Sequence, residues 1–272
     1  MRFIWRIVFF WFSFASASFG QADVYASLYE ALHLGKVVKI LRDESVKDAL
    51  GSGKLYLGQD YDFASFEKAV EKVFNLEMMD SFMRNGLKQK LPREKAKVAY
   101  RFFSQDLGAR VALLETSARS AISYEEVEVA AIQMAKEAKS ENTARYSMLE
   151  KNLKALELVE LNMKGAFSAQ YAFLKNLSTL DDMPLNNDDI VALLLENEEE
   201  MRREIVDWLM GFTHMAYTPL TDEELKSYLG FLSSSDGKVL NETLFYIFND
   251  LSIQTSGELG GVIVSFRKAR EL

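Results

Sequence analysis

Apolar residues recur at intervals of three and four along most of the chain, the spacing of one helix face, and the strict alternation of strands is absent. Leu28, Ala31 and Leu32 begin a short helix, and Val37, Val38 and Leu41 carry the pattern past Gly35. Gly51-Ser-Gly53 to Tyr61 holds three glycines in eight residues and predicts a loop. From about Ser65 a longer helix aligns Ala69, Val73, Leu76, Met79, Met83 and Leu87. Pro92 restarts the chain, because proline suits a first helical turn whose amide has no partner to lose. Ala96, Ala99, Tyr100 and Phe103 form the next face, and Val111, Leu114, Ala118 and Ile122 another from about Asp106. Residues 124–138 and 149–180 extend the pattern, the second unusually far. "LSTLDDMPLNNDD" at 177–189, with Pro184 and many capping residues, predicts an internal linker. Residues 190–217 are helical again. Thr221 and Glu224 then frame a capping box: the Thr221 hydroxyl accepts from the third amide while the Glu224 side chain reaches back. Leu225, Tyr228, Leu229 and Leu232 follow, and 240–270 completes an all-α chain.

The pattern also repeats. "RFFSQDLGAR" at 101–110 and "GFLSSSDGKV" at 230–239 pair Phe102 with Phe231, Ser104 with Ser233 and Gly108 with Gly237, all at an offset of 129. At that offset Leu76 meets Ile205, Met79 meets Trp208, Met83 meets Phe212 and Phe103 meets Leu232, whereas upstream Val70 meets Glu199. A shared helical period aligns apolar pairs by itself, but it does not place Phe-x-Ser-x-x-x-Gly at one point in both halves. The expectation is a duplicated array of helical hairpins, since one such unit cannot cover its own apolar face. The units are 23–148 and 149–272, with the long helix opening the second or joining the two. At each joint Phe packs, Ser terminates a helix and Gly bends the chain.

The amino terminus adds a destination. Arg2 and Arg6 precede an eight-residue apolar run, Ile7 to Phe14, and small residues follow. Only 14 residues separate Ile7 from Gly20, short of the roughly 20 needed to span a bilayer. Residues 1–22 therefore read as a signal peptide cleaved after Ala22, and the mature chain as periplasmic or secreted with no membrane span. The chain has no cysteine, so neither a lipoprotein anchor nor a disulfide is expected. Loss of Arg2 and Arg6 shifts the net charge from −8 to −10, a field that repels nucleic acid and anionic lipid. Trp208 becomes the only tryptophan.

The stretch Pro219 to Lys238, Pro-x-x-Asp-Glu-Glu-Leu-x-x-Tyr-x-x-Phe-x-Ser-x-x-x-Gly-Lys, resembles the signature of an exported bacterial family. That family is catalogued as a domain of unknown function, number 2059 in its series. "FFSQDLGARVALLE" at 102–115 resembles a divergent form of the same signature, and "LNMKGAFSAQYAFLK" at 161–175 resembles a segment of its two-copy members. The resemblance implies a helical exported protein and brings no catalytic residues.

Candidate chemistry is sparse. His33 and His214 are the only histidines; neither belongs to a metal or nucleophile motif, and both read as structural. Gly51-Ser-Gly53-Lys54 lacks the spacing of a phosphate loop. "DDMPLNNDD" is rich in oxygen but lacks the ligand spacing, turn glycine and closing Glu of a calcium loop. No catalytic residue, cofactor or metal is expected. Gly165, Ala169 and Ala172 make a small-residue strip suited to a close helix crossing or a dimer seam. "GELGGVIVSF" at 257–266 reads as a docked terminal helix or a partner-binding one. The leading expectation is a non-enzymatic interaction or scaffolding protein that offers a groove between its units to another envelope protein or to itself. The alternative is a carrier or holdase for apolar ligands, suggested by Met- and Phe-rich faces. A hydrolase ranks third and requires a pocket pairing His214 with a Ser and an Asp.

Overall fold

A short helix, α1 (Val24–Ala31), turns at His33 into the long α2 (Leu34–Leu57). His33 adopts φ 52° and ψ 30°, the left-handed conformation that reverses the chain. Helices α3 (Phe63–Val73), α4 (Leu76–Lys90), α5 (Arg93–Phe103) and α6 (Asp106–Ala121) follow, and α7 (Glu125–Ser140) leads onward. Then α8 (Ala144–Ala155) turns into α9 (Leu158–Leu177) at Glu157, with φ 52° and ψ 32°. Last come α10 (Asn187–Glu196), α11 (Glu198–Tyr217), α12 (Asp222–Ser233) and α13 (Ser235–Lys268). This computed structural model describes residues 23–58 and 60–269, and every regular element among them is an α-helix. The all-α fold is thus established. The expected signal peptide lies outside the described residues.

Two series of six helices share their internal packing. In the first, α2 packs on α3 and α4, and α5 on α1 and α6; in the second, α9 packs on α10 and α11, and α12 on α8 and α13. The series interlock, because α6 lies on α11 while α13 lies on α4 and α5. Helix α13 also runs along α9 in the most extensive helix pair of the molecule. One apolar core extends from Val24 to Ile263 through both series. The expected unit boundary after residue 148 falls inside α8.

Four local expectations need revision. Residues 51–57 are the last turns of α2 rather than a loop. Gly53 is buried there, and a Cβ on it would lie 2.3 Å from the Phe66 ring, so glycine admits the ring at a helix-propensity cost of about 1 kcal/mol. The Ser65–Leu87 helix breaks after Phe74, where the Asn75 side chain accepts from Met78 N at 2.9 Å and caps α4. The 149–180 helix breaks at Leu156–Glu157, and the 190–217 helix breaks at Asn197. In each case the apolar period runs on in phase across the break, so face-counting passes over it. The 177–189 linker is a loop over 178–186, between α9 and α10: Asn186 and Asp189 form a capping box for α10, and Asp182 pairs with Arg267 at 2.5 Å. No group of three or more His, Asp or Glu among the described residues is placed to hold a metal ion. No described helix is long and apolar enough to cross a membrane.

Candidate functional site

The two repeated joints meet. Phe102 at the end of α5 and Phe231 in α12 stack with ring centres 3.9 Å apart and planes 3° apart. Gly108 and Gly237, each the third residue of its helix, let α6 and α13 fold back tightly. A Cβ would lie 2.1 Å from the Phe102 carbonyl oxygen at the first and 2.2 Å from that of Phe231 at the second. Neither glycine has a positive φ, so its part is close approach and not the expected bend. Ser104 ends α5, its hydroxyl donating to Arg101 O at 3.2 Å. In the second joint the neighbour of Ser233 does that work: Ser234 Oγ donates to Phe231 O at 2.6 Å and accepts from Gly237 N at 3.1 Å. Ser233 instead accepts from Asn152 Nδ2 at 3.4 Å. Ion pairs cross the joint on either side, Lys95 to Asp236 at 2.8 Å and Arg110 to Glu224 at 2.5 Å. Glu224 is also the residue that closes the capping box on Thr221, with bonds of 2.8 and 3.2 Å.

Beside this stack lies a partly open cavity of about 310 Å³, walled by both helical series. Its surface is largely apolar, with Phe103 from the first series and Phe212, Leu232 and Leu240 from the second. Glu115 of α6 projects into it. The hydroxyls of Tyr217 and Tyr228 both donate to Glu115 Oε1, at 2.6 and 2.5 Å. The two phenol rings lie edge to face at 5.5 Å, and Tyr228 continues the Phe102–Phe231 stack. Glu115 is partly buried and lines the cavity. Loss of solvation pushes its carboxyl up from the ordinary 4.5, against the opposing pull of the two phenol donors. The phenols are raised well above 10, first by burial and then by the Glu115 charge. Arg145 fixes the turn behind Tyr217, donating to the carbonyls of Tyr217 and Leu220 at 2.6 and 2.8 Å and pairing with Asp222 at 2.7 Å.

The cavity wall ends at Arg119 and Trp208. Arg119 is gripped in bidentate fashion by Glu44 of α2, and its guanidinium sits 5.6 Å from the Trp208 ring centre. Trp208 stacks on Phe212 at 5.2 Å. On the far side of this pair is an outer recess of about 270 Å³, which Glu44, Asp48 and Glu128 help to line.

The remaining sequence candidates lie elsewhere. His33 is the reversal between α1 and α2. His214 has a buried Nδ1 with no partner, and burial followed by the nearby Arg145 charge lowers its pKa. No Ser or Asp hydrogen-bonds to its ring among the described residues. Gly165 meets Asn249 of α13 and Ala172 meets Gly257, so these residues of the strip serve a helix crossing within the chain. Ala169 is half-buried on the same helix. Residues 257–266 are the docked end of α13, where Gly260 closes on the Phe173 carbonyl. The Glu115–Tyr217–Tyr228 cluster escaped face-counting, although an acid four residues after Val111 and three before Ala118 was a usable signal. Comparison with protein-family models, curated proteins and solved structures finds no match.

Proposed function

We propose that this protein is an exported, non-enzymatic carrier that holds a small, mostly apolar molecule between two related helical units. The observation that carries this reading is the cavity itself: apolar walls from both series around one anchored carboxyl, the usual make-up of a small-molecule site. A volume of about 310 Å³ sits at the low end of the roughly 300–1,000 Å³ common for such sites. Duplication belongs to the same reading. It is supported by the offset of 129, by left-handed turns at His33 and Glu157 in corresponding places, and by the stacking of Phe102 on Phe231. The matched series also move the proposed boundary, so that α1–α6 and α8–α13 are the units and α7 joins them. Export rests on the leader-like residues 1–22.

Trp208 borders the cavity and is the only tryptophan beyond residue 22, so its emission reports occupancy. Titration with medium-chain apolar ligands is expected to shift or quench that emission saturably. Unchanged emission together with an unchanged melting temperature at millimolar ligand counts against the carrier.

A second reading, interaction with another envelope protein or with a second copy, has its own support. A groove of about 650 Å³ between α9, α10 and α13 is lined by Phe167, Val191, Leu195 and Ile253, and Leu195 is 55% exposed. Mild crosslinking in the periplasm that recovers only monomer argues against it.

A further inference from the structure

Building on the reading of the cavity as a ligand site, we infer that its occupant is a small apolar amine, held by Glu115 through an ammonium–carboxylate contact inside an aromatic wall. The charge inventory leads there. Among the described residues, Glu115 and Arg119 are the only charged ones that line the cavity. Arg119 is already neutralised by the two oxygens of Glu44, which leaves Glu115 as the one charge of the lining without an opposite partner among the described residues.

Its own bonds are lopsided. Both phenols donate to Oε1, and no donor among the described residues reaches Oε2. The side-chain polar atoms that are both sealed and unpartnered among the described residues are Tyr61 Oη and His214 Nδ1. Oε2 is not among them, so it keeps accessible surface, and its residue lines the cavity. A partly buried carboxylate with one oxygen free of a protein donor favours a cation, and an ammonium head supplies both the charge and the donor. Trp208, Phe212, Tyr217 and Tyr228 also line the cavity, and aromatic rings attract a cation more than an anion. A carboxylate ligand would bring a like charge to Glu115, and an alcohol would supply a donor without the charge.

Charge and size agree. The outer recess behind Arg119 and Trp208 sets Glu44, Asp48 and Glu128 against Lys47 and Arg119, a net negative surface beside the cavity wall that favours cations. At about 30 Å³ per non-hydrogen atom in the liquid state, the cavity admits on the order of ten such atoms.

Isothermal titration of the purified protein with octylamine, octanol and octanoate at neutral pH tests the assignment. Octylamine, protonated at that pH, is expected to bind about tenfold tighter than octanol, with octanoate weakest. In Glu115→Gln, which keeps an acceptor for both phenols, the affinity ratio of octylamine to octanol is expected to fall to about one. Octanol or octanoate matching octylamine in the unaltered protein overturns the amine and leaves the carrier standing, with no variant needed. An octylamine preference that survives in Glu115→Gln also overturns it. If none of the three probes binds, the cavity reading falls and the amine with it.

Discussion

Gly108 and Gly237 occupy positions where a methyl group has only backbone to displace. At each, the obstructing atom is a carbonyl oxygen of the preceding helix, which cannot rotate away as a side chain does. Gly108→Ala is therefore expected to cost about 1–3 kcal/mol, the range of overpacked sites. Gly230, exposed on α12 with open space around it, is the internal control. Gly230→Ala is expected to gain about 0.5–1 kcal/mol, because alanine restricts the unfolded chain and suits a helix. Urea denaturation of the two variants should move the midpoint in opposite directions. Glu115 makes a second prediction at this scale. Its native pKa lies above its ordinary 4.5, so the native state binds its proton more tightly than the unfolded chain does. The resulting stabilisation is complete below about 4.5 and is lost as pH rises through the native-state value. Glu115→Gln has no such proton. The melting temperature of the unaltered protein minus that of the variant should thus fall with rising pH from 4.5 upward. A flat difference would show that the carboxyl titrates normally. Asp43, Glu160 and Glu224, whose pKa values are lowered mainly by hydrogen bonds, act in the opposite direction but cancel in this subtraction.

Helix type and apolar faces were legible from spacing, because burial of a stripe imposes the 3.6-residue period directly. Helix ends were less so. Phe74–Asn75, Leu156–Glu157 and Asn197 interrupt stretches whose apolar residues stay in phase, and the chain turns there for tertiary reasons. Glu157 is the clearest case: a residue with a Cβ held left-handed because Leu156 is buried on one side and α9 must start on the other. Nothing in its side chain favours that conformation over glycine. Glu157 is exposed, so Glu157→Gly relieves the backbone without emptying the core. The expected gain is about 0.5–1 kcal/mol, read as a higher melting temperature. A loss of stability instead would mean that the Glu157 side chain contributes to the α8–α9 junction. Gly51 and Gly53 mislead in the reverse sense. Glycine usually marks a loop, yet Gly53 serves here as the socket for Phe66. The candidate site was half legible. The offset exposed Phe102 and Phe231, since it compared sequence with sequence. Glu115 was passed over because face-counting credits apolar residues and treats an acid as the edge of the stripe.

The whole molecule follows from what a single series of six helices leaves uncovered. Helix α6 of the first series packs onto α11, and α13 of the second returns onto α4, where Gly86 receives the Ile247 side chain. Each series thus covers part of the other, and the cavity lies between them where Glu115, Tyr217 and Tyr228 converge. Duplication as proposed here differs from a pair of beads on a string, in which each half would fold by itself. Residues 23–143, which end after α7, would expose Phe102, Phe103 and Val111 on removal of their partners Phe231, Tyr228 and α11. At about 25 cal/mol per Å² of apolar area, returning several such side chains to water removes several kcal/mol. That is comparable to the whole stability of a domain this size, about 5–15 kcal/mol. The isolated fragment is therefore expected to keep helical far-ultraviolet circular dichroism but to melt without a cooperative transition and to exchange its amides rapidly. Mixing it with residues 144–272 should restore cooperative melting and protect α6, whereas independent cooperative unfolding of the fragment would show that each unit carries a complete core of its own.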